Sequence, residues 1–251
     1  AALAASLGLP AQAAPSAVDE SKRLKSKGAS KDSAVSVRAL GFRDQGIFSD
    51  LDRQVVVRSS ALSTLARGAD LDRDGIPDRL DLLIGAHKTA LNGATYGAGY
   101  IRMKFPGGDV PRKVGVCTDV IVRAARNAGL DIQAELQRDI RRSPRSYPMV
   151  KRRNPHIDHR RVKTLLPYFK RHWQARSRAL DDPRDPLQPG DIVFMDTFPS
   201  RTGPDHIGII SDQRGPSGRP LVINNWTFGY KTSAMDLLDS VPVTHRFRWK
   251  R

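Results

Sequence analysis

The chain has 251 residues, 39% of them hydrophobic, enough for one or two domains with a real core. Its formal charge of +16 implies attraction to polyanions such as an anionic cell wall, a membrane surface or nucleic acid. The surplus is spread along the sequence without zinc-finger spacing or an aromatic-interleaved basic motif, and no apolar run is long enough to cross a bilayer, which argues against those nucleic-acid readers and a helical membrane protein.

The first stretch, "AALAASLGLPAQAAPSA", is small and apolar, and Ala11-Gln12-Ala13 fits the small-x-small pattern of a signal-peptidase site. Residues 1–13 are expected to be the remnant of an export signal; a disordered Ala-rich tail is the alternative. Export would send the protein to the periplasm, the cell wall or the medium. Residues 14–44 are polar, basic and rich in Ser and Lys, and read as a flexible leader. Residues 45–87 form an N-terminal extension, in which 45–67 are expected to pair with the later domain as a strand and a short helix.

Within that extension "DLDRDGIPDRLD" fills residues 70–81. Asp70, Asp72 and Asp74 fall at positions one, three and five, Gly75 at six, Asp78 at nine and Asp81 at twelve. Calcium loops need alternate oxygen ligands curled round one ion, with a glycine for the tight turn. The backbone carbonyl of Ile76 would supply the seventh-position ligand. The stretch resembles the loops of EF-hands and thrombospondin-type calcium repeats. The bland alternative is a solvated acidic turn. The sequence has no clear pair of flanking helices, so a stand-alone structural calcium site is expected rather than a sensor.

From residue 88 onward the pattern is that of a compact α+β domain, 88–251. Residues 117–128 read as a helix: Val120, Ile121, Ala124, Ala125 and Ala128 share a face, Arg123, Arg126 and Asn127 lie opposite, and Gly129 stops it. An arginine-rich linking region runs to about residue 186. Three β-like runs follow, "DIVFMD" (191–196), "HIGIIS" (206–211) and "PLVINNW" (220–226), separated by turn signals.

Cys117, the one cysteine in the chain, opens the expected helix. Free N–H groups and the helix dipole there favour an anion, hence a thiolate. After export a thiol with no disulfide partner would face oxidation, which makes a chemical role more plausible than a packing one. The competing reading is a small hydrophobe in a core. Of six histidines, His206 is the best base, because it opens an apolar strand. Asn224 and Asn225 end the next strand, where a residue that orients His206 would sit.

The order of helix-start Cys, "PGDIVFM", "HIGII" and a polar residue on the following strand resembles the NlpC-type, papain-like cysteine peptidases of bacteria. More closely, residues 95–249 resemble a bacterial family known as domain of unknown function 1287, through "FPGGDVP", "GVCTDVIVRA", "LDIQ", "IDHRRV", "PGDIV", "HIGII" and "THRFRW" in that order. The resemblance implies a papain-like fold with the nucleophile at the start of a helix packed on an antiparallel sheet. It implies Cys117 as nucleophile, His206 as general base and Asn224 as third residue, with Asn225 as fallback. The chain departs from the family here, having "NN" where His-Asn is more usual. The implied substrate class is the peptide amides of peptidoglycan.

"IDHRR" has two readings. Asp158, His159, Arg160 and Arg161 line the cleft and bind a substrate carboxylate, with Asp119 beside them, or they form a structural ion-pair cluster. His159 is also a rival base. The expectation as a whole is an exported, monomeric cysteine hydrolase with a structural calcium ion and no organic cofactor, held on peptidoglycan or an anionic wall. The alternatives are a non-catalytic wall-binding module of the same fold and a basic nucleic-acid-binding protein. A secreted toxin aimed at a competitor's wall would use the same chemistry.

Overall fold

The computed structural model describes residues 32–40, 46–198 and 203–250. The expected export remnant and residues 14–31 and 41–44 of the expected leader lie outside them. Strand β1 (Ala34–Ser36) falls within the stretch expected to be flexible and pairs antiparallel with β2 (Val56–Arg58), Val35 opposite Val57. Helix α1 (Ser59–Leu65) follows at once. The strand and short helix expected in 45–67 are thus present, the strand paired to β1 rather than to the later sheet.

Helix α2 (Asp78–Asn92) is buried along most of its length. One side, with Leu80, Leu83 and Ile84, packs with Val37, Val55, Val57 and Leu65 of the N-terminal segment. The other, with Leu82 and Ala86, enters the main core. A helix apolar all round belongs between two layers. The domain boundary expected at 87/88 therefore falls inside a continuous helix, and the described residues make one compact unit.

Strands β3 (Thr95–Tyr96) and β4 (Val114–Gly115) form a short parallel pair. Helix α3 (Cys117–Asn127) is the one the sequence marks, and it ends at Gly129, whose φ of 72° is left-handed. Gly85 lets α2 lie close against it: a Cβ there would sit 2.6 Å from the Cβ of Asn127. On the polar side of α3, Arg123 and Asn127 are buried and Arg126 is partly so. Arg123 is 2% exposed, its Nε donates to Asp109 at 2.9 Å, and its Nη2 donates to the carbonyls of Val110, Pro111 and Val114. A satisfied guanidinium can be covered where an unpaired one could not.

The arginine-rich linking region is helical, not a linker. It holds α4 (Ile132–Arg142), capped by the Asp131 carboxylate, and α5 (Val162–His172). Ile132, Leu136 and Ile140 of α4, and Val162, Leu165 and Phe169 of α5, reach the same core as α3. Their arginines lie on the other sides.

The sheet takes β5 (Gln174–Arg176), β6 (Ile192–Met195), β7 (His206–Arg214), β8 (Pro220–Asn224), β9 (Ser233–Met235) and β10 (Val243–Arg248) in the order β5-β10-β6-β7-β8-β9, every neighbouring pair antiparallel. The architecture is α+β. Side chains alternate across the sheet. Ile192, Phe194, Ile207, Ile209 and Ile223 pack with α3 and α5, while Val193, Met195, Ile210 and Val222 pack under Leu237, Leu238 and Val241. No helix among the described residues is long and apolar enough to cross a membrane.

Candidate active site

Cys117 is the first residue of α3 and is 8% exposed. The turn before it is fixed by Asp119, whose carboxylate accepts the Val116 N–H at 2.8 Å. Burial pushes the thiol up to about 12. Hydrogen bonds from the N–H groups of Ile207 and Thr118 oppose that shift, and the nearby carboxylates of Asp119 and Asp205 add to it. The sulfur therefore rests as a thiol. Helix-start placement alone, which would favour a thiolate, loses to desolvation here.

The Ile207 N–H is close enough to influence the thiol, which puts Cys117 near the start of β7, one residue from His206. The Nε2 of His206 lies 3.0 Å from Asn224 Oδ1, and its ring stands edge-on to Trp226 with centroids 4.9 Å apart. The β7–β8 register explains the choice of Asn224. Ile209 faces Ile223, so Asn224 faces Gly208 and shares a sheet side with His206. Asn225 projects the other way and donates to the Ala94 carbonyl and the Thr232 hydroxyl, both at 3.0 Å. With Nε2 donating to Asn224, Nδ1 is the ring atom left to take a proton. Burial lowers the His206 pKa, against Asn224 and Asp205, so the imidazole rests neutral. No hydrogen bond among the described residues joins the thiol to the imidazole. Each group rests in its neutral form.

Two residues that the sequence does not single out stand here. Tyr96 is near enough to feel the Cys117 charge: burial first, then Cys117, raise its hydroxyl pKa. Asp205 accepts from the Thr197 N–H and hydroxyl, fixing the turn before His206. Tyr96 lies on a two-residue strand, too short for any periodicity, and Asp205 lies in a turn.

Of the "IDHRR" residues, Asp158, His159 and Arg160 are inside, whereas Arg161 is exposed. The Nε of Arg160 donates to Asp119 at 3.0 Å, and its Nη atoms donate to the carbonyls of Gly99 and Gly97 at 2.9 and 3.1 Å. Asp158 is fully buried and accepts from Gln137 and the Asn154 N–H, both at 2.7 Å. His159 is 2% exposed, and burial, followed by Arg160 and Arg126, lowers its pKa to about 4. Asp119, Asp158 and Arg160 are engaged with internal partners rather than presented to a ligand, which corrects the cleft-lining reading. The strongest influences on His159 include Arg126 and Asp131, at the far end of α3 from Cys117. Of the other histidines, His87 holds Asp212 on β7 at 2.8 Å and His172 holds Asp139 at 3.1 Å.

The acidic loop divides. Carboxylate oxygens of Asp70, Asp72 and Asp74 lie within 4.8 Å of one another. Asp78 is the first residue of α2 and accepts the Leu71 N–H at 2.7 Å. Asp81 is buried in α2 and accepts from Asn127 Nδ2 at 2.5 Å. Because α2 starts at position nine of the expected loop, Asp78 and Asp81 turn to structural partners, and the expected six-ligand set is not assembled. Ile76 buries its side chain in the N-terminal core. The loop also lies between two helices, the expected α1 and an α2 that the sequence does not announce. Three crowded carboxylates fit a divalent cation's demand for oxygen donors.

Residues 83–249 match the family model described as Domain of unknown function (DUF1287). The chain belongs to this family. The match begins inside α2, ahead of the segment read from the sequence. The chain is also similar to a protein of Escherichia coli (strain K12) described as uncharacterized protein YijF, at 40% identity over 133 residues, or 52% of this chain and 62% of the relative. The chain thus spans less than two thirds of that relative's length. No solved structure matches.

Proposed function

We propose that this DUF1287 member is an exported cysteine hydrolase of NlpC-like fold that cleaves amide bonds in peptidoglycan peptides. The observation that carries the reading is the junction of α3 and β7. A helix-start thiol lies close enough to the Ile207 backbone to be influenced by its N–H, and the preceding residue on that strand, His206, is held through Nε2 by Asn224.

As the Cys117 sulfur bonds to the amide carbonyl carbon, its proton passes to His206 Nδ1 and the carbonyl π pair moves to oxygen. The Cys117 N–H and the Tyr96 hydroxyl donate to that oxyanion. Collapse breaks the C–N bond, and the imidazolium gives its proton to the leaving amine. Water, deprotonated by His206, then cleaves the thioester and restores the thiol. Asn224 keeps the ring in register by accepting from Nε2–H. Catalytic hydrogen bonds are often long before substrate arrives, which accommodates a resting pair without a direct bond. Asp70, Asp72 and Asp74 hold a structural calcium ion, and the basic surface holds the protein, as a monomer, on an anionic wall.

Burial of Cys117 favours a second reading, a non-catalytic wall-binding module of the same fold. The depressions at Arg152–Arg161, at Leu180–Asp239 and at Phe105–Arg153 are not lined by Cys117. Mass spectrometry of purified peptidoglycan, incubated with wild type and Cys117→Ala, separates the two. New amine and carboxyl ends with wild type only support the hydrolase; identical digests with intact wall binding support the module.

A further inference from the structure

A depression of about 470 Å³ lies in the 152–161 segment, whose residues bond to Gln133 and Gln137 of α4. Arg152, Arg153, Asn154, His156, Ile157 and Arg161 line it. Arg152 and Arg153 are exposed and make no ion pair among the described residues. Arg161 has a half-exposed side chain, and its nearest carboxylate, Asp158, is 3.8 Å away and fully buried. Three arginines thus line one depression, and among the described residues only Arg161 has a carboxylate within ion-pair distance. A second, more apolar depression of about 270 Å³, with Phe105, Pro106 and Arg141, adjoins it through the shared Arg153.

The 96–103 loop joins this surface to the thiol. Tyr96 lies beside Cys117, Arg160 ties the Gly97 and Gly99 carbonyls to Asp119, and the Met103 N–H reaches His156 Nδ1 at 3.4 Å. The His156 ring also meets Tyr100 edge-on.

We propose that this depression is a carboxylate-binding subsite that holds free acid groups of an acidic peptide. The proposal rests on the hydrolase reading for its substrate, and it names that substrate's distinguishing charge. Planar guanidinium forks match carboxylates bidentately. The volume suits a few residues rather than a tracked polymer. The walls at Pro155, Ile157, Phe105 and Pro106 suit a peptide's apolar atoms, whereas a strand of nucleic acid would need successive aromatic platforms.

The test is fluorescence anisotropy on the full chain carrying Cys117→Ala, so that binding is read without turnover. Labelled oligoglutamate, oligoglutamine and an oligothymidylate of equal charge are the probes. Oligoglutamate should bind and oligoglutamine should not. The pair Arg152→Gln/Arg153→Gln should weaken oligoglutamate roughly ten-fold or more. The exposed control pair Arg53→Gln/Arg67→Gln should leave it unchanged. Equal loss in both pairs, or none in the groove pair, overturns the subsite. Tighter oligothymidylate binding that the groove pair abolishes overturns the peptide assignment. If the subsite binds but wild type cuts no wall, the hydrolase reading fails and the subsite stands; if wild type cuts and the groove pair binds normally, the reverse holds.

Discussion

The start of α3 and the acidic loop before α2 belong to one unit and treat ionisable groups in opposite ways. At α3, burial keeps a thiol protonated and an imidazole neutral, and the charges that remain, Asp119 and Arg160, are paired. In the loop, three like charges crowd at partly exposed positions, and burial together with Asp70 raises the Asp72 pKa. The first arrangement keeps its titratable groups uncharged behind a wall of protein. The second stores repulsion that a cation would relieve.

The largest way to break the contrast is Asp119→Asn. It leaves the buried Arg160 without its carboxylate partner and weakens the hold on the Val116 N–H. The expected loss is about 3–5 kcal/mol of stability in urea unfolding. A loss under 1 kcal/mol would mean that the pair is not the anchor of the α3 start.

The next test uses pH. His159 has a folded pKa of about 4 against an ordinary 6.5, so its neutral form is favoured on folding. Its contribution is complete above pH 6.5 and is lost as pH falls from 6.5 towards 4, where the unfolded chain binds the extra proton. The loss is on the order of 3 kcal/mol across that window. His159→Gln should flatten that part of the stability curve; an unchanged slope would assign it to other groups.

The smallest effect belongs to the loop. Calcium at about ten times Kd should add about 1.4 kcal/mol and raise Tm by a few degrees, and a chelator should reverse this. Asp70→Ala with Asp72→Ala should remove the response. A melt indifferent to calcium in the unaltered chain would leave the three aspartates as a turn.

What could be read from the sequence divides along the same line. The face of α3, its glycine stop and the strands at 192–195, 206–214 and 220–224 follow from local period and turn residues. The His206–Asn224 contact follows from strand parity once the register is known, and the register is a tertiary fact. The acidic spacing was legible, but the helix beginning at Asp78 takes two of its carboxylates away. Helix α5 is obscured by Pro167 within it, and α4 by its arginines. Tyr96 and Asp205 owe their places to chain paths that no periodicity encodes.

The central claim is that Cys117 attacks an amide carbonyl with His206 as its base. The most direct measurement is the intact mass of the protein after rapid acid quench with a synthetic wall peptide. A transient, hydroxylamine-labile thioester should form on Cys117 in wild type, be absent in Cys117→Ala and form about 10²–10⁴-fold more slowly in His206→Ala. Peptide cleavage that persists in Cys117→Ala without any adduct would contradict it.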